Sequence, residues 1–371
     1  MSALRVFNPS RLTWARRRRG LTKTRLAVAV GVDLRSVSAY ETGEFSPDPV
    51  RLDQIARALK FPEGFFFGDE LEQPALDSAS FRSMSKMTAG QRDTALGSGA
   101  IALLLNEWIE SRFTLPEPDV PDFGRDANPE AAAETVRRAW GLGEQPVKNM
   151  VHVVEAKGVR VYSLALDAVE VDAFSMWRQH RPFIFLNTLK SAEHGRFDAA
   201  HELGHLVLHK HAAPSGQQAE QDANAFASAF LMPAASVRAH SPRFATIDQL
   251  IRLKKIWNVS LAALTYRLHK LGLLSDWHYR KLYIEISSRG YRKSEPDGGP
   301  REVSQVLHKV FSALREDRVT KHDVAAALHV HAEDVDELVF GLALTALEGS
   351  GRGAAGPRPR PKLTVVASKG Q

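Results

Sequence analysis

Between residues 197 and 209 the chain reads FDAAHELGHLVLH. His201, Glu202 and His205 form an H-E-x-x-H pattern inside a segment whose residue types predict a helix. Side chains four apart share one helical face, about 6 Å apart along the axis. Two imidazoles so placed can share one tetrahedral metal ion, and the carboxylate between them can act on water at that ion. The competing interpretation is a buried helix whose two histidines are satisfied by neighbours.

Two histidines leave at least one protein ligand to find, since a catalytic zinc keeps one position open. The stretch EQDANAFASAFLMP predicts a second helix from about Glu220, ended by Pro233, with Phe226, Phe230 and Leu231 on its apolar face. Glu220 and Asn224 share a face, as do Asp222 and Phe226. Because Phe226 and Phe230 belong to the core, Glu220 is the better ligand candidate and Asp222 the runner-up. Asn224 then sits where it can orient a ligand from behind. His209 continues the face of His205, but its place at the helix C-terminus favours a partly charged capping role over ligation. His194 and His211 read as surface residues. A peptidase also needs an electrophile for the oxyanion. Tyr266, His240 and Arg238 are candidates among which spacing does not choose.

The elements that must hold this helix are legible around it. Residues 151–155, 158–162, 171–177 and 182–186 are rich in β-branched and aromatic types, with a turn at Lys157-Gly158, and predict a small β-sheet. A helix from about Ser191 then carries the motif. An extended peptide can pair with a free sheet edge beside such a helix.

The first sixty residues alternate short helical patterns with breaks. Thr22 and Asp33 are N-cap candidates, Gly31 supplies a tight turn, and Leu26, Ala27 and Val30 form an apolar stripe. This is a helix-turn-helix layout, and the stretch TKTRLAVAVGVDLRSVSAYETGEFSPDPVRLDQIARAL resembles the Cro/C1 repressor-like (Xre) family. That resemblance makes Arg35, Ser36 and Ser38, on the third helix, the readers of double-stranded DNA. Lys23, Thr24 and Arg16 to Arg19 are then placed for phosphates.

The combination AHELGHLVLH, E-x-x-A-N-x-F-A and LMP resembles the ImmA/IrrE family of metallo-endopeptidases. Trp140-Gly141-Leu142-Gly143 and Trp257-Asn258-Val259-Ser260 are similar to it as well, so the likeness runs over most of residues 10–290. It implies a zincin-type fold, a bound Zn²⁺ or another divalent metal such as Mn²⁺, and cleavage of Xre-type repressors during stress or mobile-element induction. By matching position it makes His201, His205 and Glu220 the metal ligands and Glu202 the general base.

The rest of the chain carries less chemistry. Residues 70–90 lose periodicity and read as a linker, and residues 91–113 and 129–140 as helices. Residues 247–274 suggest a second helix-turn-helix-like arrangement used for packing, and residues 277–286 form an aromatic-rich segment. Residues 302–314 and 321–347 read as amphipathic helices, and the tail from Gly349 as disordered.

The expected architecture is α+β and multidomain. An all-α helix-turn-helix domain (8–68) leads through a linker and connecting helices (69–148) to a zincin-like peptidase domain (149–290). A helical C-terminal lobe (291–348) and a basic tail (349–371) follow.

Charge agrees with two kinds of partner. Residues 1–60 carry 12 basic and 5 acidic residues, and residues 352–371 five basic and none acidic, whereas the middle is net acidic. Both ends suit an anionic partner. The absence of cysteine excludes disulfides, thiolate metal sites and cysteine nucleophiles, and fits a cytoplasmic protein. No apolar run approaches the roughly 18 residues of a membrane helix.

The sequence therefore predicts a DNA-binding, zinc-dependent endopeptidase acting on an Xre-type repressor or antitoxin, with a homodimer compatible with paired half-sites. Two rivals differ in class or target. One is a transcription regulator with a structural or sensory metal site; the other severs its own linker. Glu202 argues for hydrolysis, because a site that only binds metal has no use for that carboxylate.

Overall fold

The computed structural model describes residues 6–71, 88–164, 173–210 and 216–343. Four helices open the chain: α1 (Pro9–Arg18), α2 (Lys23–Val30), α3 (Leu34–Thr42) and α4 (Pro49–Leu59). Their starts follow local chemistry, since Asn8, Thr22, Asp33 and Asp48 each accept a backbone N–H of the first turn. Gly31 closes α2 in the left-handed conformation that the turn into α3 requires. Leu12, Leu26, Val37, Ile55, Leu59 and Phe65 are buried together beneath them.

The basic run in α1 has a different fate from the one its charge suggests. Arg16 forks onto Glu41 through Nε and Nη2 and donates to Leu21 O, and Arg18 pairs with Glu337. Arg19 donates to Leu59 O and pairs with Asp334 at 2.9 Å. Arg16 and Arg18 are buried and Arg19 is half-buried, while Arg17 stacks over Trp14 near Asp93. These arginines, expected at phosphates, are engaged within the molecule, where they fasten the N-terminal helices internally and to the C-terminal lobe.

α5 (Ala89–Glu110) starts at a Thr88/Gln91 capping box and packs along α1. Its far end reaches the sheet, where Glu107 pairs with Arg178 and Glu110 with both Arg160 and Arg181. Residues 72–87, most of the expected linker, lie outside the described residues. α6 (Pro129–Ala139) is capped by Asn128.

The sheet differs from its prediction at one place. Residues 151–155 are not a strand but part of α7 (Met150–Ala156). Strand propensity yields to tertiary context here. Asn149 caps the helix, Glu302 accepts from the N–H groups of Met150 and Val151, and Met150, Val151 and Val154 are buried on one side. Three strands remain: β1 (Arg160–Ser163), β2 (Phe174–Arg178) and β3 (Arg181–Leu186). Their order is β1-β3-β2, with β1 parallel and β2 antiparallel to β3. Residues 171–172 of the expected second strand are outside the described residues.

The metal-motif helix α8 (Ala192–Leu208) is followed by α9 (Gln217–Leu231), α10 (Ala234–His240), α11 (Ile247–Leu253), α12 (Leu261–Lys270) and α13 (Asp276–Ser288). The C-terminal lobe is α14 (Gln305–Glu316), α15 (Lys321–Leu328) and α16 (Ala332–Val339). The single helix expected over residues 321–347 is thus broken. His329 adopts a left-handed backbone that ends α15, and residues 344–347 and the tail lie outside the described residues. Among the described residues no helix is long and apolar enough to cross a membrane.

α7 and α14 are tied by a buried carboxylate. Glu155 accepts from Ser304 Oγ and from the N–H groups of Gln305 and Val306 at the start of α14. Burial pushes its pKa up to about 7, against the pull of those donors. A raised folded-state value means that Glu155's contribution is complete below about pH 4.5 and is lost as pH rises through 7. The shift corresponds to about 3 kcal/mol. Glu155→Gln, which keeps the acceptor without the charge, should therefore remove a loss of stability of that order between pH 5 and 8. Urea unfolding at both pH values checks this; an unchanged pH dependence in the variant would assign the loss elsewhere.

Candidate metal centre

Ser191 caps α8, and Ala199, Ala200, Leu203, Leu206 and Val207 turn its apolar side into the core. α9 runs against the opposite side. A Cβ added at Gly204 would lie 3.2 Å from Ala223 Cα and from the Phe226 ring, so glycine permits the close approach of the two helices. Phe226 and Phe230 are fully buried, and Glu220 is carried in the first turn of α9.

That approach brings His201, His205 and Glu220 together, with potential ligand atoms all within 4.8 Å of one another. The two Nε2 atoms are 3.0 Å apart. Glu220 Oε2 is 3.5 Å from His201 Nε2, and Oε1 is 3.4 Å from His205 Nε2.

The rear contacts decide what these nitrogens offer. His201 Nδ1 is 3.1 Å from Asn224 Oδ1. An amide oxygen only accepts, so Nδ1 carries the hydrogen and Nε2 presents a lone pair. His205 Nδ1 is 3.1 Å from His209 Nδ1, and a hydrogen on the former frees His205 Nε2 in the same way. Two facing lone pairs beside a carboxylate require a proton or a cation between them. A tetrahedral zinc with bonds of about 2.05 Å to nitrogen would set two such atoms about 3.3 Å apart. The donor set fits a small divalent metal.

Ionisation follows the same geometry. Burial lowers His205 to about 4, assisted by His201 and opposed by Glu220. Burial also pulls His201 down, but Glu220 and Glu202 outweigh it and hold its pKa above the ordinary value. Glu220 resists its own burial because both imidazoles draw it well below the usual carboxylate range. His209 closes α8, as its position predicts, and burial depresses its pKa. It also backs His205.

Glu202 is buried on the neighbouring face of α8, where Ser175 Oγ of β2 donates to its Oε2 at 2.7 Å. Trp177 Nε1, on the same strand, donates to Leu206 O. β2 is therefore an outer strand of the three, clamped along the motif helix. Ser175 escaped the sequence reading, although a lone hydroxyl between Phe174 and Met176 in a strand-like run is a usable signal.

The remaining candidates separate. Asp222 accepts from Gln218 Nε2 at 2.8 Å and stands outside the His201, His205 and Glu220 cluster. His194 is exposed and His211 lies outside the described residues. His240 donates to Ser236 O and meets Trp257 edge-on, Lys270 sits over Tyr266, and Arg238 is exposed on α10. None of these contacts involves the cluster.

In the N-terminal domain Arg35 and Thr24 are exposed, and Ser36 and Ser38 are half-buried on α3. Asp33 accepts from Ser36 N, and Lys23 is 3.4 Å from Glu41.

Comparison with known families gives two matches. Residues 12–66 match the helix-turn-helix model, and residues 154–269 match the IrrE N-terminal-like domain of the M78 peptidases. No curated protein matched the chain. The first match runs from within α1 through α4, and the second from within α7 through the motif helix to α12.

Proposed function

We propose that this chain, of the ImmA/IrrE family with an N-terminal Xre-type helix-turn-helix domain, is a DNA-binding, metal-dependent endopeptidase. Its target on this reading is an Xre-type repressor or antitoxin, cut to release stress or mobile-element genes. The observation that carries the reading is the convergence of His201, His205 and Glu220, with the carboxylate of Glu202 close enough to raise the pKa of His201.

His201, His205 and Glu220 would hold Zn²⁺, or another divalent ion such as Mn²⁺. The ion supplies a Lewis acid for the scissile carbonyl and makes nearby water acidic. Glu202 accepts the proton of the attacking water and passes it to the leaving amine. Ser175 fixes one oxygen of Glu202, and β2 offers an extended substrate a backbone to run beside. On the DNA side Arg35, Ser36 and Ser38 read bases, with Lys23 and Thr24 at phosphates.

Asn224→Ala should weaken metal binding by about 10–100-fold, the usual effect of removing a group that orients a ligand. Competition against a chromogenic chelator measures it, and unchanged affinity would remove Asn224 from the site.

The test of the whole reading incubates the zinc-loaded chain with Xre-type repressors from its own genome, beside a chelated sample. Cleavage confined to the loaded sample is expected. Intact repressors in both, with operator binding retained, would favour a regulator whose metal is structural.

A further inference from the structure

α13 uses one side for packing and presents the other to solvent. Leu282 and Ile286 are buried, Tyr279 stacks on His269 at 4.4 Å, and Tyr283 leans on Tyr279. On the outer side Trp277 is 71% exposed and Ile284 is 69% exposed. They stand one heptad apart, about 10 Å along the axis, with Arg280 and Lys281 between them. A surface helix ordinarily turns its large apolar residues inward and its charges outward. Two large apolar residues on the solvent side are the departure.

The charges around them lean positive. Asp276 accepts from His269 at 2.7 Å and also acts on Arg280 one turn on, while Glu285 pairs with Arg289 at 2.6 Å. Lys281 Nζ lies 5.4 Å from the Trp277 ring, and among the described residues neither Arg280 nor Lys281 has a carboxylate at ion-pair distance. The face is a basic centre between two apolar knobs.

We propose that this face docks an acidic amphipathic helix of a partner protein. Two apolar side chains of that helix, a heptad apart, meet Trp277 and Ile284, and carboxylates between them meet Arg280 and Lys281. Self-pairing does not satisfy the surface. An antiparallel twofold pair placing Trp277 on Ile284 of a second copy has its axis beside Arg280 and Lys281, so like charges would face each other. The chain beyond residue 343 carries Arg352, Arg358, Arg360, Lys362 and Lys369 against Glu348, and is repelled for the same reason. A phosphate backbone would answer the charges but leave Ile284 in water. The proposal stands on this surface and not on the peptidase reading.

The experiment uses the full chain and a fluorescein-labelled synthetic helix of about 18 residues, with leucines a heptad apart and glutamates flanking them. Fluorescence anisotropy should show saturable binding. Ile284→Ser or Trp277→Ser should weaken it by about tenfold or more. Arg280→Glu with Lys281→Glu should abolish it and instead admit the same helix with lysines in place of its glutamates. That charge swap is an effect that mere loss of folding does not produce, and circular dichroism checks each variant. No binding of the acidic helix, or binding indifferent to these changes, overturns the proposal. So does a labelled oligonucleotide bound through Arg280 and Lys281 but insensitive to Ile284→Ser, or a dimer in sedimentation that Ile284→Ser dissolves.

Discussion

Glu202→Gln is expected to lower repressor cleavage by about 10²–10⁴-fold, the usual worth of a positioned general base. The substitution keeps the shape of the side chain and its acceptor for Ser175 Oγ, which donates to Oε2 at 2.7 Å. On the proposed reading it removes what the reaction asks of that position, a group that takes a proton and gives it back. Glu202 stands outside the His201, His205 and Glu220 cluster, so metal content should not change. The loss should fall on kcat with KM nearly constant, because no substrate-binding contact is removed. A variant that cleaves at the rate of the parent would take Glu202 out of the reaction, whatever its metal content. A variant that loses metal together with activity would show that Glu202 acts through the cluster.

The second large effect is on stability. Arg196→Met should cost about 3–5 kcal/mol, the range for breaking a buried charge pair by removing one partner. Arg196 lies on α8, five residues before His201, and is buried. Its guanidinium pairs with Glu302, donates to Val147 O, and donates through Nε to Trp257 O at 3.1 Å. Glu302 in turn accepts from the first N–H groups of α7. One side chain thus joins the motif helix to α7, to the segment before α14 and to the turn at Trp257. Methionine fills much of the volume but leaves Oε1 of Glu302 and two carbonyls without the guanidinium that they share. Arg196→Lys should recover only part of the loss, since an ammonium cannot reproduce the planar fork. Urea unfolding of the metal-free chain at pH 7 reads both variants. A loss below about 1 kcal/mol in Arg196→Met would mean that water replaces the guanidinium at little cost.

Together with Glu155, this contact makes the C-terminal lobe part of the scaffold of the site. Arg18 and Arg19 do the same at the other end by pairing with Glu337 and Asp334 of α16. The basic surplus of residues 1–60 is therefore partly consumed inside the molecule. Arg35 on α3, by contrast, keeps its charge at the exposed surface.

What the sequence determined by itself is whatever depends on neighbours along the chain. The four-residue spacing of His201 and His205 places both rings on one face of any helix that forms there. Thr22, Asp33 and Ser191 cap the helices they precede because an N-cap needs only its own side chain and the next turn. Tertiary structure decided everything that depends on what stands opposite. The run 151–155 has strand-forming residues, but Glu302 and Asn149 at its start and a buried side make it helical. The apolar pattern of residues 226–231 already favours Glu220 over Asp222 as a ligand, but only the crossing of α9 over Gly204 brings its carboxylate to the two imidazoles. Arg16, Arg18 and Arg19 look free until Glu41, Asp334 and Glu337 arrive from elsewhere in the chain. Charge and propensity are properties of a residue, whereas the partner that uses them is a property of the fold.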